Sequence, residues 1–213
     1  IDKNLLKNNI INNKKEIVTN LDKDNILSYA KTYVHDIFFD KDTKIEHKRK
    51  DPIFYNVENM HTSKNGKNFI KHHENKRNKV YDIKDGKLTV GYGHAEKKSK
   101  TKLKVGQILS DEEIDDLFNK DIKIAEDGIK RLFKEWKESG NEIILTQNMF
   151  DALVSIAFNS GVQGVRNSDF IKNIKEKKFK TASKNIEKHA LRKGFPGLEK
   201  RRNQESKLFK KGL

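Results

Sequence analysis

Apolar residues in the second half of the chain recur at helical spacing. Ile114, Leu117, Phe118, Ile122, Ala125, Ile129, Leu132, Phe133 and Trp136 fall at i, i+3 and i+4 intervals, which predicts one long amphipathic helix. Ser110-Asp-Glu-Glu113, just before it, has the form of a capping box, in which the hydroxyl accepts from the third amide and the Glu reaches back. Gly128 interrupts the pattern and predicts a bend or break. A second helix is predicted from about Gln147 to Asn159, with Thr146 as its cap and Gly161 as its stop. Its run from Met149 to Phe158 is apolar on several faces, the pattern of a central buried helix. Shorter helices are predicted over Asp169 to Lys175, Phe179 to His189 and Gly197 to Phe209.

Upstream the period changes. Phe69 and Ile70 precede His72-His73-Glu74 in a short helical stretch, and Val80 to Tyr92 then alternates around Asp85-Gly86, a hairpin signal because Gly accepts positive φ. Residues 95 to 107 are rich in Lys and predict an exposed loop. Helices, one small hairpin, then helices only is an α+β pattern dominated by its helical part. Residues 1 to 60 read differently, as an N-terminal extension or linker. Within them Ile26, Leu27, Tyr29, Ala30, Tyr33, Val34, Ile37 and Phe38 predict one amphipathic helix between Leu21 and Phe39. The charged stretch Asp40 to Asp51 predicts a linker, and residues 61–213 form the main domain.

Composition narrows this picture. With 34% of residues hydrophobic and 36% charged, a core has to be concentrated in the periodic part of the chain. A formal net charge of +15 points to an anionic polymer: nucleic acid, a lipid surface or an acidic cell wall. The chain has no cysteine, which excludes disulfides and thiolate metal sites. It carries no apolar run long enough to span a membrane and no signal-peptide core. Because it opens on Ile1 rather than Met, it is expected to be processed or cut from a longer polypeptide.

Candidate chemistry concentrates between Glu74 and His94. A carboxylate at a helix end and a second on an adjacent hairpin is what glycosidic bond cleavage requires. One acid protonates the departing oxygen, and a carboxylate handles the water or the developing positive charge. Glu74 is the candidate acid. Asp82 and Asp85 are the candidates for the second group, although Asp85 next to Gly86 also suits a plain turn role. Strand parity sends Asp82 and Asp85 to opposite faces unless a bulge intervenes. Thr89 offers a hydroxyl that both donates and accepts. His94 closes a Gly-Tyr-Gly turn. Asp121 lies on the apolar face of the long helix, where a buried carboxylate needs a partner. A His94–Asp121 ion pair is therefore expected, structural rather than catalytic. His72-His73-Glu74 lacks the spacing of a zinc site, so neither a metal nor another cofactor is expected.

These residues resemble the phage-type lysozymes and endolysins of glycoside hydrolase family 24. Glu74, Thr89 fifteen positions later and Gly91-Tyr92-Gly93-His94 are similar to the family's acid, threonine and Gly-x-Gly-His turn. Leu109 to Asp121 resembles its capped helix between lobes, and Thr146 to Gly161 its core helix. Phe195 to Phe209 resembles the closing Gly-Leu-x-x-Arg-Arg-x-x-Glu segment. The resemblance covers roughly residues 63 to 209, in order. It implies a two-lobed fold, with a small β-hairpin lobe and a larger all-helical lobe joined by a long helix. It also implies a muramidase that cuts the β-1,4 bond between N-acetylmuramic acid and N-acetylglucosamine in peptidoglycan. Glu74 would be the general acid, and a hairpin Asp with Thr89 would position water.

The chain departs from the family at one place. In register from Glu74 to Thr89 the family's Asp position holds Ile83, with Asp82 one residue early and Asp85 two late. Asp82 is the favoured second carboxylate and Asp85 the alternative. If neither serves, a lytic-transglycosylase-like single-acid enzyme or an inactive peptidoglycan-binding module remains open. The expected site of action is the periplasm or cell wall, reached by phage lysis, a tail spike or a secretion system, the last as a toxin effector. Residues 1–60 would then meet a delivery apparatus or parent polypeptide, and an immunity protein is a further expected partner. Nucleic acid is not, since the chain shows no aromatic stacking surface and no basic recognition helix.

Overall fold

The structure, a computed structural model, describes residues 52–191 and 195–213. The amphipathic helix expected between Leu21 and Phe39, and the linker after it, lie outside these residues. Phe54–Asn56 forms a short strand, β1, which pairs antiparallel with Ile144–Thr146. A single 3-10 turn follows at Val57–Asn59, and Val57 and Met60 are buried in the main core. Residues 54–60 thus sit on the N-terminal side of the boundary expected at 60/61 and are held in the body by strand pairing and burial.

Ser63 caps helix α1, Lys64–His73, accepting at Oγ from the amide of Gly66 at 3.0 Å. Three antiparallel strands come next: β2 (Arg77–Tyr81), β3 (Lys87–Gly91) and β4 (His94–Lys97), in that spatial order. β4 occupies the start of the Lys-rich stretch expected to be loop. Along β4 half-buried His94 and Glu96 alternate with exposed Ala95 and Lys97, and the half-buried pair lies opposite buried Val90 and Leu88.

Helix α2, Asp111–Glu138, is 28 residues long and begins on a complete capping box. Ser110 N–H donates to Glu113 Oε2 at 2.7 Å, and Glu113 N–H donates back to Ser110 Oγ at 3.2 Å. The helix runs unbroken through Gly128, contrary to the break the sequence suggests. A Cβ at that position would lie 2.2 Å from Val162 Cγ2, so the glycine permits a close approach between helices. That contact offsets the roughly 1 kcal/mol of helix propensity that Gly gives up relative to Ala.

Strand β5 (Ile144–Thr146) leads into α3 (Gln147–Ser160), capped by Thr146 and stopped at Gly161 with φ of 78°. Every α3 residue from Met149 to Ala157 is buried, as its apolar run predicts. Among the described residues four helices follow: α4 (Val162–Arg166), α5 (Asp169–Lys175), α6 (Phe179–Glu187) and α7 (Pro196–Lys210). α7 starts on Pro, which needs no amide partner in a first turn, and packs on α3 and α6. The arrangement is α+β, as expected.

The described residues form two hydrophobic clusters. The large one gathers α3 with the inner faces of its neighbours. The small one holds Val80, Leu88, Val90, Leu109 and Ile114 under the hairpin. α2 contributes Ile114 to the small cluster and Phe118 onward to the large one, and Tyr92 touches both.

Candidate active site

Glu74 is the C-cap of α1, with extended φ and ψ of −106° and 133°, so its side chain leaves the helix where the axis ends. The other end of α1 is fixed. Asp151 of α3, 1% exposed, accepts from Ser63 N–H at 2.9 Å, Ser63 Oγ–H at 2.5 Å and Gln147 Nε2 at 2.9 Å. Only glycine fits at position 66 beside it, since a Cβ there would meet Asp151 Cγ at 2.5 Å. Buried Glu126 of α2 takes the amide of Thr62 at 2.6 Å. One turn before Glu74, Lys71 donates to Asp115 at 2.7 Å, with its ammonium about 5 Å from the Tyr92 and Phe118 ring centres. α1 is therefore a rigid arm with the carboxylate at its tip.

At that tip Arg201 Nη1 donates to Glu74 Oε1 at 2.6 Å, and the Glu74 side chain keeps 21% of its exposure. The neighbouring His73 is pushed down to about 4, first by burial and then by the positive charge of Arg201. It is neutral at physiological pH and adds no cation beside Glu74.

β2 carries a bulge, but upstream of both aspartates, so it does not alter the parity of Asp82 and Asp85. Arg77 faces Gly91 and Tyr81 faces Thr89, so four steps on β2 oppose two on β3. Gly106–Leu109 takes up β2 groups: Val80 N–H reaches Gln107 O at 2.8 Å, Gly106 N–H reaches Val80 O at 2.9 Å and Leu109 N–H reaches Asn78 O at 3.0 Å. A shallow hollow of about 730 Å³ lies along β2, lined by residues 77–82, Val105 and Gly106; neither Glu74 nor Thr89 belongs to its wall.

The turn beyond β2 is built from two successive aspartates. Asp82 Oδ1 accepts from the Lys84 amide at 2.7 Å, with Lys84 at φ 63°, and Asp82 Oδ2 accepts from Lys98 Nζ at 2.6 Å. The Lys98 ammonium, and after it the Lys84 amide, holds the Asp82 carboxyl below its ordinary value. Asp85 Oδ1 accepts from the Lys87 amide at 3.0 Å beside Gly86, the turn role its sequence context suggests. Thr89 is buried on β3 between Tyr81 of β2 and Ala95 of β4, and Ile83, at the in-register position, is 61% exposed.

The structure brings His94 and Asp121 together. Nδ1 of the ring lies 3.0 Å from both carboxylate oxygens, and Nε2 lies 3.2 Å from Glu96 Oε1. Glu96 also receives the Thr101 hydroxyl. Asp121, and then Glu96, raises the His94 pKa above 6.5 against the opposing effect of burial. A raised folded-state value stabilises the fold fully below about pH 6.5 and less as pH climbs through it. The difference in urea stability between the wild type and His94→Gln is therefore expected to be larger at about pH 5.5 than at about pH 8.5. Equal differences at both pH values would rule out the ion pair as its cause.

Sequence reasoning missed the partners of the site residues: Arg201 on Glu74, Lys98 on Asp82 and Asp151 under α1. Asp151 carried the same signal that singled out Asp121, a carboxylate inside an apolar helical run. Arg201 and Glu205 are four apart, hence on one helix face. Among the described residues no group of three His, Cys, Asp or Glu side chains could hold a metal ion, and no helix is long and apolar enough to cross a membrane.

Residues 71–205 match the family model described as phage lysozyme. The chain is 30% identical over 156 residues to the endolysin of Acyrthosiphon pisum secondary endosymbiont phage 1, covering 70% of this chain and 98% of that protein. It is 32% identical over 157 residues to the endolysin of Bacillus phage B103, covering 72% of this chain but only 55% of that longer protein. Among solved structures, the muramidase domain of SpmX from Asticaccaulis excentricus is similar with a TM-score of 0.58 and 28% identity, over 70% of this chain and 97% of that one.

Proposed function

The chain belongs to the phage lysozyme family, and on that footing we propose that it is a peptidoglycan hydrolase of the muramidase type. Glu74 gives its proton to the glycosidic oxygen between N-acetylmuramic acid and N-acetylglucosamine. A water positioned by Asp82 and Thr89 attacks from the opposite face, the Asp82 carboxylate taking its proton as the anomeric carbon inverts. The observation that carries this reading is the placing of Glu74: a partly exposed carboxylate at the tip of an anchored helix, in register with Thr89 in a chain of this family. The +15 net charge favours an anionic wall as the surface on which it works.

A second reading rests on the turn. Both Asp82 oxygens are engaged, by Lys98 and by the Lys84 amide, and the in-register position carries exposed Ile83. If no carboxylate assists the water, the 6-hydroxyl of the muramic acid is the nearest nucleophile, and the product is an anhydro sugar.

Mass spectrometry of muropeptides released from purified peptidoglycan separates the cases. Reducing ends are expected; anhydro ends would establish the second reading, and no soluble fragments would leave a wall-binding module. Asp82→Asn is expected to lower the release rate by about 10²-fold, while Asp85→Asn stays within a few-fold of wild type. The reverse pattern would move the second carboxylate to Asp85.

A further inference from the structure

Beneath Glu74 lies a carboxylate that the reaction as written does not use. Glu205 on the inner face of α7 is fully buried, and three donors converge on it. Oε1 accepts from Arg201 Nε at 3.1 Å and from Ser155 Oγ–H at 2.7 Å, and Oε2 accepts from Arg202 Nη1. Arg202 is held in turn by Asn159 Oδ1 at 2.5 Å and by the His189 carbonyl at 3.1 Å. A buried ion cluster of this kind gives little stability over an apolar core of equal volume, so its presence calls for another role.

We propose that Glu205 is a positioning residue for Glu74, acting through Arg201; this rests on the reading of Glu74 as the acid. The guanidinium is planar, and two of its nitrogens are pinned from inside the core, Nε by Glu205 and Nη2 by the Ser155 carbonyl at 3.4 Å. The third, Nη1, is then aimed in one direction, and Glu74 Oε1 lies along it at 2.6 Å. Glu205 also offsets charge. An arginine beside an acid favours its ionised form, the form that cannot donate. Arg201 is the guanidinium that touches Glu74, and Glu205 sits on its Nε, so Glu205 offsets the charge that Glu74 meets. Without Glu205, the Arg201 charge faces Glu74 uncompensated. Of the other groups near this cluster, His73 of α1 and His189 beyond α6 are held neutral, chiefly by burial, and Ser155 and Asn159 of α3 carry no charge; exposed Lys200 and His72 add positive charge that reaches His73 and is common to wild type and variants.

The test is the pH dependence of muropeptide release by the full chain. Glu205→Gln is expected to bring the alkaline fall in rate, the limb where the acid's proton is lost, to lower pH, read as a loss of about tenfold in rate on that side relative to wild type. A merely structural residue would lower the rate at every pH and leave the limb in place, and that result overturns the proposal. If Glu205→Gln gives no cooperative melt, the paired replacement Arg202→Met with Glu205→Leu decides, because it leaves no orphaned charge between those positions. Arg202 has no contact with Glu74 and Glu205 sits directly on Arg201, so the limb is again expected at lower pH; an unchanged limb overturns the proposal here too. A wild-type chain that releases no fragments at all would instead overturn the muramidase reading.

Discussion

Glu74→Gln is expected to abolish release of soluble fragments from peptidoglycan, with a loss of about 10²–10⁴-fold in rate and no loss of fold. The substitution removes the proton and little else. The Gln carbonyl keeps an acceptor for Arg201 Nη1, which now approaches at 2.6 Å, and the position is a helix C-cap whose backbone needs no particular side chain. A leaving alkoxide without an acid must depart as an anion. Paired measurements of release rate and thermal melting check it. A variant that keeps a tenth of the wild-type rate with an unchanged melt would remove Glu74 from the mechanism.

Asp151→Ala is expected to cost about 3 kcal/mol of stability, lowering Tm by roughly 6–12 °C for a body of this size. Three donors lose their acceptor at once: the Ser63 amide, the Ser63 hydroxyl and the Gln147 side chain. Hydrogen bonds to an ionised carboxylate are each among the stronger of their kind, and a donor stranded in a site 1% exposed finds no water in exchange. The loss also reaches function, because the start of α1 is tethered here and its far end carries Glu74. A several-fold fall in release rate is expected at temperatures where the variant is still folded. Calorimetry decides: a Tm drop under about 3 °C would mean that α1 is held by its apolar contacts and not by this carboxylate.

Elements whose signals are local were legible in the sequence. The capping box at Ser110 and Glu113, the Thr146 cap, the Gly161 stop and the Asp85-Gly86 turn each depend on residues within four positions of one another. Helix limits predicted from them fall within two residues of those observed for α2 and α3. Pairings between distant segments were not legible. β1 and β5 are three residues each, too short for an alternating pattern, and they exist because Phe54–Asn56 meets Ile144–Thr146 across the fold. The β2 bulge depends on Gly106–Leu109, about 25 residues downstream of β2. Gly128 misled for the same reason. Propensity sees only the local cost of glycine, while the gain lies in the contact with Val162.

The candidate site divides in the same way. Glu74 and Thr89 stood out through the resemblance to the lysozyme family, and the His94–Asp121 contact through a carboxylate on an apolar face. The groups that restrain them belong to other elements, Arg201 from the last helix and Lys98 from beyond β4, and no pattern in residues 74–94 announces either. Asp82 shows the consequence: its sequence position made it a candidate, and only the fold shows how firmly Lys98 and Lys84 hold it.

The unbroken α2 has a bearing on how the molecule comes apart. At 28 residues it extends about 42 Å, and its apolar face belongs to both hydrophobic clusters. The small cluster has only five buried residues, too few to melt as an independent unit, and one of them, Ile114, lies in the first turns of that helix. Amide protons of β3 and of the α2 N-terminal half should therefore exchange through the same global opening as those of α3, and the hairpin borrows its persistence from a core to which it contributes almost nothing.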